Sequence, residues 1–272
     1  MKTRILTALV ALPLLVAVLL FPEPWILSPV VALLACIGLW EMTHALNIFE
    51  KRPLTLLSAL MAVLFPLTAW LAPDLLWVAA VVYTLLILCV SVVFHKTLPL
   101  ADVAKSYLAT LYVAGLFSAV VTVRMAPEGH LLLWLIFIAA FATDTFAYFT
   151  GVFLGRHKLC PEVSPKKTVE GAIGGVVGCV LCFFAFGYVL TVRNTVAVNL
   201  PSLLTLAVVA SVVSMFGDLS ASIIKRQVGV KDYGKLFPGH GGVLDRFDSV
   251  LFTAPTIAVW SQIWPVLWAI IG

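Results

Sequence analysis

The sequence predicts an all-α, polytopic integral membrane protein with about nine transmembrane helices and a cytosolic N-terminus. Hydrophobic residues make up 62% of its 272 residues and charged residues only 11%, a composition outside the range of soluble domains. The apolar residues form successive runs of about 20, the length that a helix needs to cross the hydrocarbon core. Lys and Arg residues concentrate in alternate loops, as the positive-inside rule requires.

Nine apolar runs are long enough to be transmembrane spans. They cover residues 5 to 21, 25 to 45, 54 to 72, 74 to 94, 107 to 124, 131 to 150, 171 to 191, 201 to 224 and 249 to 271. The first run ends at Pro22 without a small-x-small cleavage motif, which indicates a permanent span rather than a signal peptide. The runs are too long and too uniformly apolar for the alternating strands of a membrane barrel.

The charge distribution predicts the orientation of these spans. With the N-terminus inside, the cytosolic segments hold every one of the 17 Lys and Arg residues except Arg124 and Arg193. One span more or fewer would destroy this separation. The sequence therefore predicts a cytosolic N-terminus, an external C-terminus and a net charge of +4 gathered at one membrane face.

Polar residues divide the chain into two regions. Residues 1–130 contain about five spans joined by short loops, whereas residues 131–272 contain the long polar loops 151–170 and 225–248. We therefore expect function to reside in the second region. In the first, Glu41 lies near the end of the second span, where a solvated position or a contact with another helix is favoured over catalysis.

A glycine-rich stretch opens the seventh span. Gly171, Gly174, Gly175 and Gly178 form two overlapping Gly-x-x-x-Gly pairs, and no Gly-Lys-Ser/Thr follows to indicate a phosphate-binding loop. The spacing predicts close packing against a neighbouring helix.

Acidic residues within or at the ends of spans are candidates for a functional site, because a carboxylate at that depth needs a partner, water or a metal ion. Asp144 and Asp218 are two such residues, with an ion pair to a neighbouring helix as the alternative for each. Ser222 and Lys225 share a helical face with Asp218, and Arg226 flanks it. A carboxylate, a hydroxyl and two cations would suit a metal-bound polyphosphate.

The segment that follows is the most polar part of the chain. Gly241 and Gly242 allow a backbone to approach a ligand closely. Asp245 and Asp248, three residues apart at a helix start, share a face and are suited to Mg2+. The alternative for Asp245 is a helix cap.

Two stretches resemble a known family. The segment Ser222-x-x-Lys225-Arg226-x4-Lys231-Asp232-x-Gly234-x2-Phe237-Pro238-x-His240-Gly241-Gly242-x2-Asp245-Arg246-x-Asp248 is similar to the signature of the phosphatidate cytidylyltransferase (CDP-diacylglycerol synthase) family. The loop Ser164-Pro165-Lys166-Lys167-Thr168-x-Glu170-Gly171 resembles a second stretch of that family. The resemblance implies a nucleotidyltransferase that joins CTP to phosphatidate, releases pyrophosphate and requires Mg2+.

The resemblance and the residue chemistry together give a set of candidate site residues. The expected metal ligands are Asp218, Asp245 and Asp248. The expected catalytic residues are Asp218, Lys225, Arg226, Lys231, Asp232, His240, Asp245, Arg246 and Asp248, with the role of His240 left open between orienting a phosphate and protonating pyrophosphate. The expected substrate-binding residues are Asp144, Lys166, Lys167, Ser222, Gly241 and Gly242.

The same resemblance implies the surroundings of the protein. It indicates a multi-pass protein of the bacterial inner membrane, with a catalytic region in residues 131–272 and the active site facing the cytosol. CTP and membrane phosphatidate are the expected partners, and no nucleic acid is expected. More than one Mg2+ ion, a monovalent cation and a homodimer are left open.

Two other functions use similar residues. A transporter or channel also places carboxylates in its spans and basic residues at its mouth, but it would distribute them through the membrane depth. Another membrane lipid phosphotransferase is the second alternative, although the Asp-x-x-Asp-Gly pattern of the CDP-alcohol phosphotransferases is absent.

Overall fold

The computed structural model of the chain describes residues 13, 15–21, 23–194, 196–237, 239 and 241–268. Most of the first predicted span lies outside these residues, although 15–20 are helical. The described part contains nine labelled α-helices: α1 (Pro24–Ala45), α2 (Arg52–Leu71), α3 (Leu76–Val93), α4 (Leu100–Thr110), α5 (Leu116–Met125), α6 (Gly129–Leu154), α7 (Val169–Val192), α8 (Leu200–Gln227) and α9 (Leu244–Ile263). The predicted all-α class is confirmed.

Seven helical stretches of the described residues are long and apolar enough to cross a membrane. They are Pro24–Ala45, Arg52–Leu71, Pro73–Val93, Leu100–Met125, Gly129–Leu154, Val169–Val192 and Leu200–Gln227. Short 3-10 and π turns precede α3 and join α4 to α5. These stretches match the second to eighth predicted runs, with the largest difference at Leu100, where the helix begins before residue 107. The chain is thus a multi-pass membrane protein.

The last predicted span is wrong in its extent. The sequence predicts a helix through residue 271, but α9 ends at Ile263 and is not among the seven candidate spans. Pro265 has no N–H group and its ring obstructs the preceding turn, so the helix stops before it. The chain then forms β4 (Leu267–Trp268), which pairs antiparallel with β3 (Ala197–Val198).

The chain separates into two compact units. Unit 1 comprises Met1–Met125 and Gln227–Phe247, and unit 2 comprises Ala126–Arg226 and Asp248–Gly272. In unit 1, α1 and α2 are joined by a hydrogen bond from Ser28 Oγ to the carbonyl oxygen of Pro66, at 2.9 Å. Such bonds connect membrane helices because no water competes for the donor.

Unit 2 contains the close helix pair that the glycine spacing predicts. A Cβ at Gly174 would overlap Thr150 of α6, and one at Gly178 would overlap Phe146 of the same helix. At Gly175 the added atom would lie 3.0 Å from the carbonyl oxygen of Thr143. The prediction of close packing is confirmed, and the partner is α6.

A short hairpin connects these two helices. Its strands are β1 (Lys158–Cys160) and β2 (Ser164–Thr168), which pair antiparallel. Thr168 then caps α7, because its Oγ1 accepts a hydrogen bond from the N–H of Gly171 at 3.1 Å. The loop predicted at 151–170 is therefore largely the end of α6 and an ordered hairpin.

Candidate active site

The C-terminal end of α8 carries polar side chains on one face. Asp218, Ser222 and Lys225 follow each other at spacings of four and three residues and are all half-buried, whereas Arg226 is exposed. α8 remains helical through this whole segment and ends at Gln227. The helical face expected from the sequence is therefore present.

The start of α9 places a second carboxylate near this face. Asp248 is buried, and its carboxyl group experiences the negative charges of Asp218 and Asp144 and the positive charge of Lys225. Gly217 allows α8 and α9 to approach, because a Cβ there would lie 2.7 Å from the carbonyl oxygen of Asp248. Asp144, Asp218 and Asp248 form what we call the acidic cluster of unit 2.

The acidic cluster requires positive charge. Like charges held close together and partly removed from water disfavour each other's ionised state, and nearby cations relieve this cost. The side chain of Lys167, from β2, forms a close ion pair with Oδ2 of Asp218. Lys225 supplies a second positive charge near Asp248. The ammonium group of Lys167 thus shows that a cation can reach the carboxylate of Asp218.

The hairpin that carries Lys167 is anchored at both ends. Glu170, at the start of α7, accepts hydrogen bonds from the backbone N–H of Arg156 at 3.0 Å and from His157, whose ring Nδ1 lies 2.6 Å from Oε1. Arg226 of α8 reaches the turn of the hairpin, with its Nε 3.5 Å from the carbonyl oxygen of Val163. Local contacts thus position Lys167, while the neighbouring Lys166 is exposed.

The segment before α9, residues 228–243, is organised around Asp245 in unit 1. The buried Oδ2 of Asp245 accepts hydrogen bonds from the N–H of Tyr233 at 2.8 Å and of Gly242 at 2.9 Å. Gly241 has φ +89°, a conformation that side-chain-bearing residues rarely adopt. Its carbonyl oxygen accepts a bond from the N–H of Phe237, which closes a tight turn.

The cap of α9 comes from another part of the sequence. Glu41 of α1 is 1% exposed, and its two carboxylate oxygens accept hydrogen bonds from the N–H of Val243 at 2.9 Å and of Leu244 at 3.0 Å. The alternative in which Asp245 caps α9 is therefore wrong: Asp245 lies inside the first turn and binds the preceding segment. The solvated position considered for Glu41 is also wrong, and its contact with another helix is confirmed.

The two units divide the predicted site residues. Unit 2 contains Asp144, Lys166, Lys167, Asp218, Ser222, Lys225, Arg226 and Asp248. Unit 1 contains Lys231, Asp232, Gly241, Gly242, Asp245 and Arg246. His240 and, two residues before it, Pro238 lie outside the described residues. Within unit 1, Lys231, Asp232 and Arg246 are exposed.

Carboxylate oxygens are the ligands that Mg2+ prefers, so each acid of the cluster is chemically able to bind the ion. No group of three or more His, Cys, Asp or Glu side chains in the described part of the chain is arranged to hold a metal ion. Of the predicted metal ligands, Asp218 and Asp248 belong to unit 2 and Asp245 to unit 1. Their joint role as metal ligands stays a prediction.

The sequence does not specify the hydrogen-bond partners of two acids, Glu41 and Glu170. The position of Glu41 near a span end favours a solvated position or a contact with an unspecified helix, and Glu170 belongs to a stretch that resembles the family. The sequence does indicate that Glu41 has a contact, because a carboxylate within an apolar run needs a partner. Its partners, Val243 and Leu244, lie 202 and 203 residues further along the chain, and their sequence does not indicate the contact.

Comparison with known proteins identifies the family. A Staphylococcus saprophyticus protein named phosphatidate cytidylyltransferase is 34% identical over 264 residues, which cover 95% of this chain and 98% of that protein. A Staphylococcus aureus protein of the same name is 33% identical over 266 residues, again 95% and 98% of the two chains. A Thermotoga maritima protein of that name is 44% identical over 124 residues, 44% of this chain and 45% of that protein. Residues 2–264 match the family described as the Cytidylyltransferase family, and the chain belongs to it.

Proposed function

We infer that the protein is an enzyme that transfers the cytidylyl group of CTP to phosphatidate, giving CDP-diacylglycerol and pyrophosphate. A bond forms between a phosphate oxygen of the lipid and the α-phosphorus of CTP. The bond from that phosphorus to the oxygen bridging to the β-phosphorus breaks, and its electron pair leaves with pyrophosphate. The similarity to phosphatidate cytidylyltransferases over 95% of the chain supports these substrates.

The acidic cluster with its two lysines is the structural observation that carries this proposal. Transfer between two polyanions requires positive charge to bring the phosphates together and to stabilise the charge that develops on the leaving group. Lys167 pairs with Asp218, and the positive charge of Lys225 acts on Asp248. We propose that these lysines and the exposed Arg226 bind substrate phosphates, joined by Lys166, Lys231 and Arg246.

The reaction needs no general base on the protein. The second pKa of a phosphate monoester is near 6, so the attacking phosphatidate oxygen is already largely ionised at neutral pH. The protein has instead to orient that oxygen and hold the triphosphate in line with it. Among the described residues, a site built from carboxylates, lysines and arginines, without a dedicated base, is consistent with this requirement.

We propose Mg2+ as the cofactor. Asp218 and Asp248 are the candidate ligands from unit 2, Asp245 is the predicted third ligand, and Asp144 is a further contributor. When bound, Mg2+ would neutralise the phosphates and stabilise the leaving pyrophosphate. The ion pair of Lys167 with Asp218 indicates that this carboxylate accepts a cation.

We propose that the site faces the cytosol of a bacterium, where CTP is made. The end of α8 carries Lys225 and Arg226, and the hairpin carries Lys166 and Lys167; both belong to the basic side in the charge count. A site at the end of a membrane-spanning helix lets the lipid headgroup meet a soluble nucleotide while the acyl chains stay in the bilayer. The transporter alternative has no support from the named relatives.

The test is incorporation of label into lipid. Purified protein in detergent is incubated with phosphatidate, Mg2+ and CTP labelled at the α-phosphate, and we expect label in the lipid phase with release of unlabelled pyrophosphate. Diacylglycerol replaces phosphatidate in the control, because it lacks the attacking phosphate. Equal incorporation from labelled ATP, or none from CTP, would show that the named substrates are wrong.

A further inference from the structure

Two carboxylates organise the segment 228–243 in unit 1, and the proposed function uses only one of them. Asp245 binds the N–H groups of Tyr233 and Gly242, and Glu41 binds those of Val243 and Leu244. Four backbone donors within twelve residues therefore converge on two side chains. The charge of Asp245 also acts on the Glu41 carboxyl group, so the two acids lie near each other.

The glycines around Glu41 have a steric explanation. A Cβ at Gly234 or at Gly242 would overlap the carboxylate of Glu41. Neither residue has a positive φ, in contrast to Gly241. Glycine at positions 234 and 242 therefore leaves room for the carboxylate of Glu41. Neither position requires glycine for its backbone conformation.

Burial makes the contact of Glu41 with α9 strong. A carboxylate removed from water needs hydrogen bonds in return, and bonds from N–H groups to an ionised acceptor are stronger than neutral ones. The N-terminus of a helix also carries partial positive charge that favours an anion. Because both oxygens of Glu41 are used, the direction of the first turn of α9 is fixed relative to α1.

We propose that Glu41 is a positioning residue for the reaction, a role that rests on the proposed function. It fixes the first turn of α9, and so the place of Asp245 and Arg246, through Val243 and Leu244. It does not touch substrate. Its removal should slow the chemical step more than it weakens substrate binding.

The first experiment compares Glu41→Gln with Glu50→Gln. Glu50 is exposed in the loop after α1 and supplies a matched loss of one charge. The glutamine amide can accept only one of the two N–H bonds and turns a donor toward the other. We expect Glu41→Gln to lower kcat about tenfold or more and to change KM for CTP and phosphatidate by less than about threefold. Glu50→Gln should retain wild-type values.

The second experiment measures the contact without using activity. Hydrogen–deuterium exchange of the purified protein should be faster in Glu41→Gln at the amides of Val243 and Leu244, and unchanged in peptides from α7. Glu50→Gln should exchange like the wild type. Uniformly faster exchange, or an unchanged kcat per folded molecule, would reduce Glu41 to a general stabilising residue and overturn the inference.

A double-variant cycle tests the steric argument. Gly242→Ala alone should lower kcat because its methyl group overlaps Glu41, whereas in a Glu41→Ala background the same change should cause little further loss. Additive losses would contradict the role of Glu41. If the wild type transfers no label from CTP, the proposed function fails, and the exchange experiment alone decides whether Glu41 holds this segment.

Discussion

At the scale of single residues, Asp245 and Asp248 share a proposed role as metal ligands but differ in the hydrogen bonds that they accept from the backbone. Asp245 supports the backbone of residues 233 and 242. The hydrogen bond of Asp248 to the N–H of Ser249, at 2.8 Å, is local. Loss of the Asp245 carboxylate would therefore disturb this segment in addition to any loss of its proposed role as a metal ligand. Asp248 gives the cleaner test of a cation-binding role.

We expect Asp248→Ala to lower transfer from CTP at least about 100-fold, because the cation that this carboxylate is proposed to hold would act chiefly in the transition state. Asp245→Ala should be equally inactive but should also unfold at a lower temperature. The measurement is label incorporation per folded molecule, alongside thermal unfolding. Asp74→Ala, in an exposed 3-10 turn, is the control. Full activity in both site variants would exclude them as metal ligands.

Contacts between site residues could be predicted from the sequence only where the two residues lie near each other in the chain. The face formed by Asp218, Ser222 and Lys225 follows from helical spacing alone. The ion pair of Lys167 with Asp218 and the bonds of Glu41 to α9 join distant segments. Composition does not encode which of several lysines meets which carboxylate, because that choice depends on how the helices pack.

At the scale of helices and strands, the apolar runs predicted type and order well. Pro24, Pro53 and Pro99 mark the starts of α1, α2 and α4, where a missing N–H has no cost. The end of α9 was missed because an apolar run continues past Pro265. Hydrophobicity sets the length of a run, whereas the backbone chemistry of proline sets where the helix stops.

The packing of α6 and α7 gives a prediction at this scale. Gly174→Ala should lower the unfolding temperature, since the added methyl group overlaps Thr150 and overpacking costs about 1–3 kcal/mol. Gly115→Ala is the matched control, because its methyl group would meet only Leu111 Cδ2, at 4.0 Å. That variant should be as stable as the wild type or more so. Equal unfolding temperatures for all three proteins would contradict the close contact.

At the scale of the whole molecule, the signature segment crosses a structural boundary. Residues 222–226 and 248 belong to unit 2, and residues 227–247 belong to unit 1. A continuous motif in sequence is thus not a continuous body in the fold. The predicted division into a region 1–130 and a catalytic region 131–272 stays a prediction about function.

The predicted orientation can be tested with a native thiol. Cys160 lies on β1, within the predicted cytosolic region, and is half-buried. In a variant that retains only this cysteine, a membrane-impermeant maleimide should label inverted vesicles and spare intact spheroplasts. A single cysteine at the exposed position His130 should give the opposite pattern. Labelling of both positions from one side would overturn the charge-based orientation.

The glycine-lined contact between α6 and α7 has a mechanical consequence. Two helices that contact each other at Gly174, Gly175 and Gly178 cannot slide along each other without steric overlap, so the ends of the hairpin that joins them are held at fixed positions. Lys167 lies at the base of that hairpin, one residue before the cap of α7, so the position of its ammonium group relative to Asp218 depends on how closely α7 packs against α6. Small residues in an apolar helix pair thereby determine how precisely the ammonium group of a lysine is held at a carboxylate of a third helix.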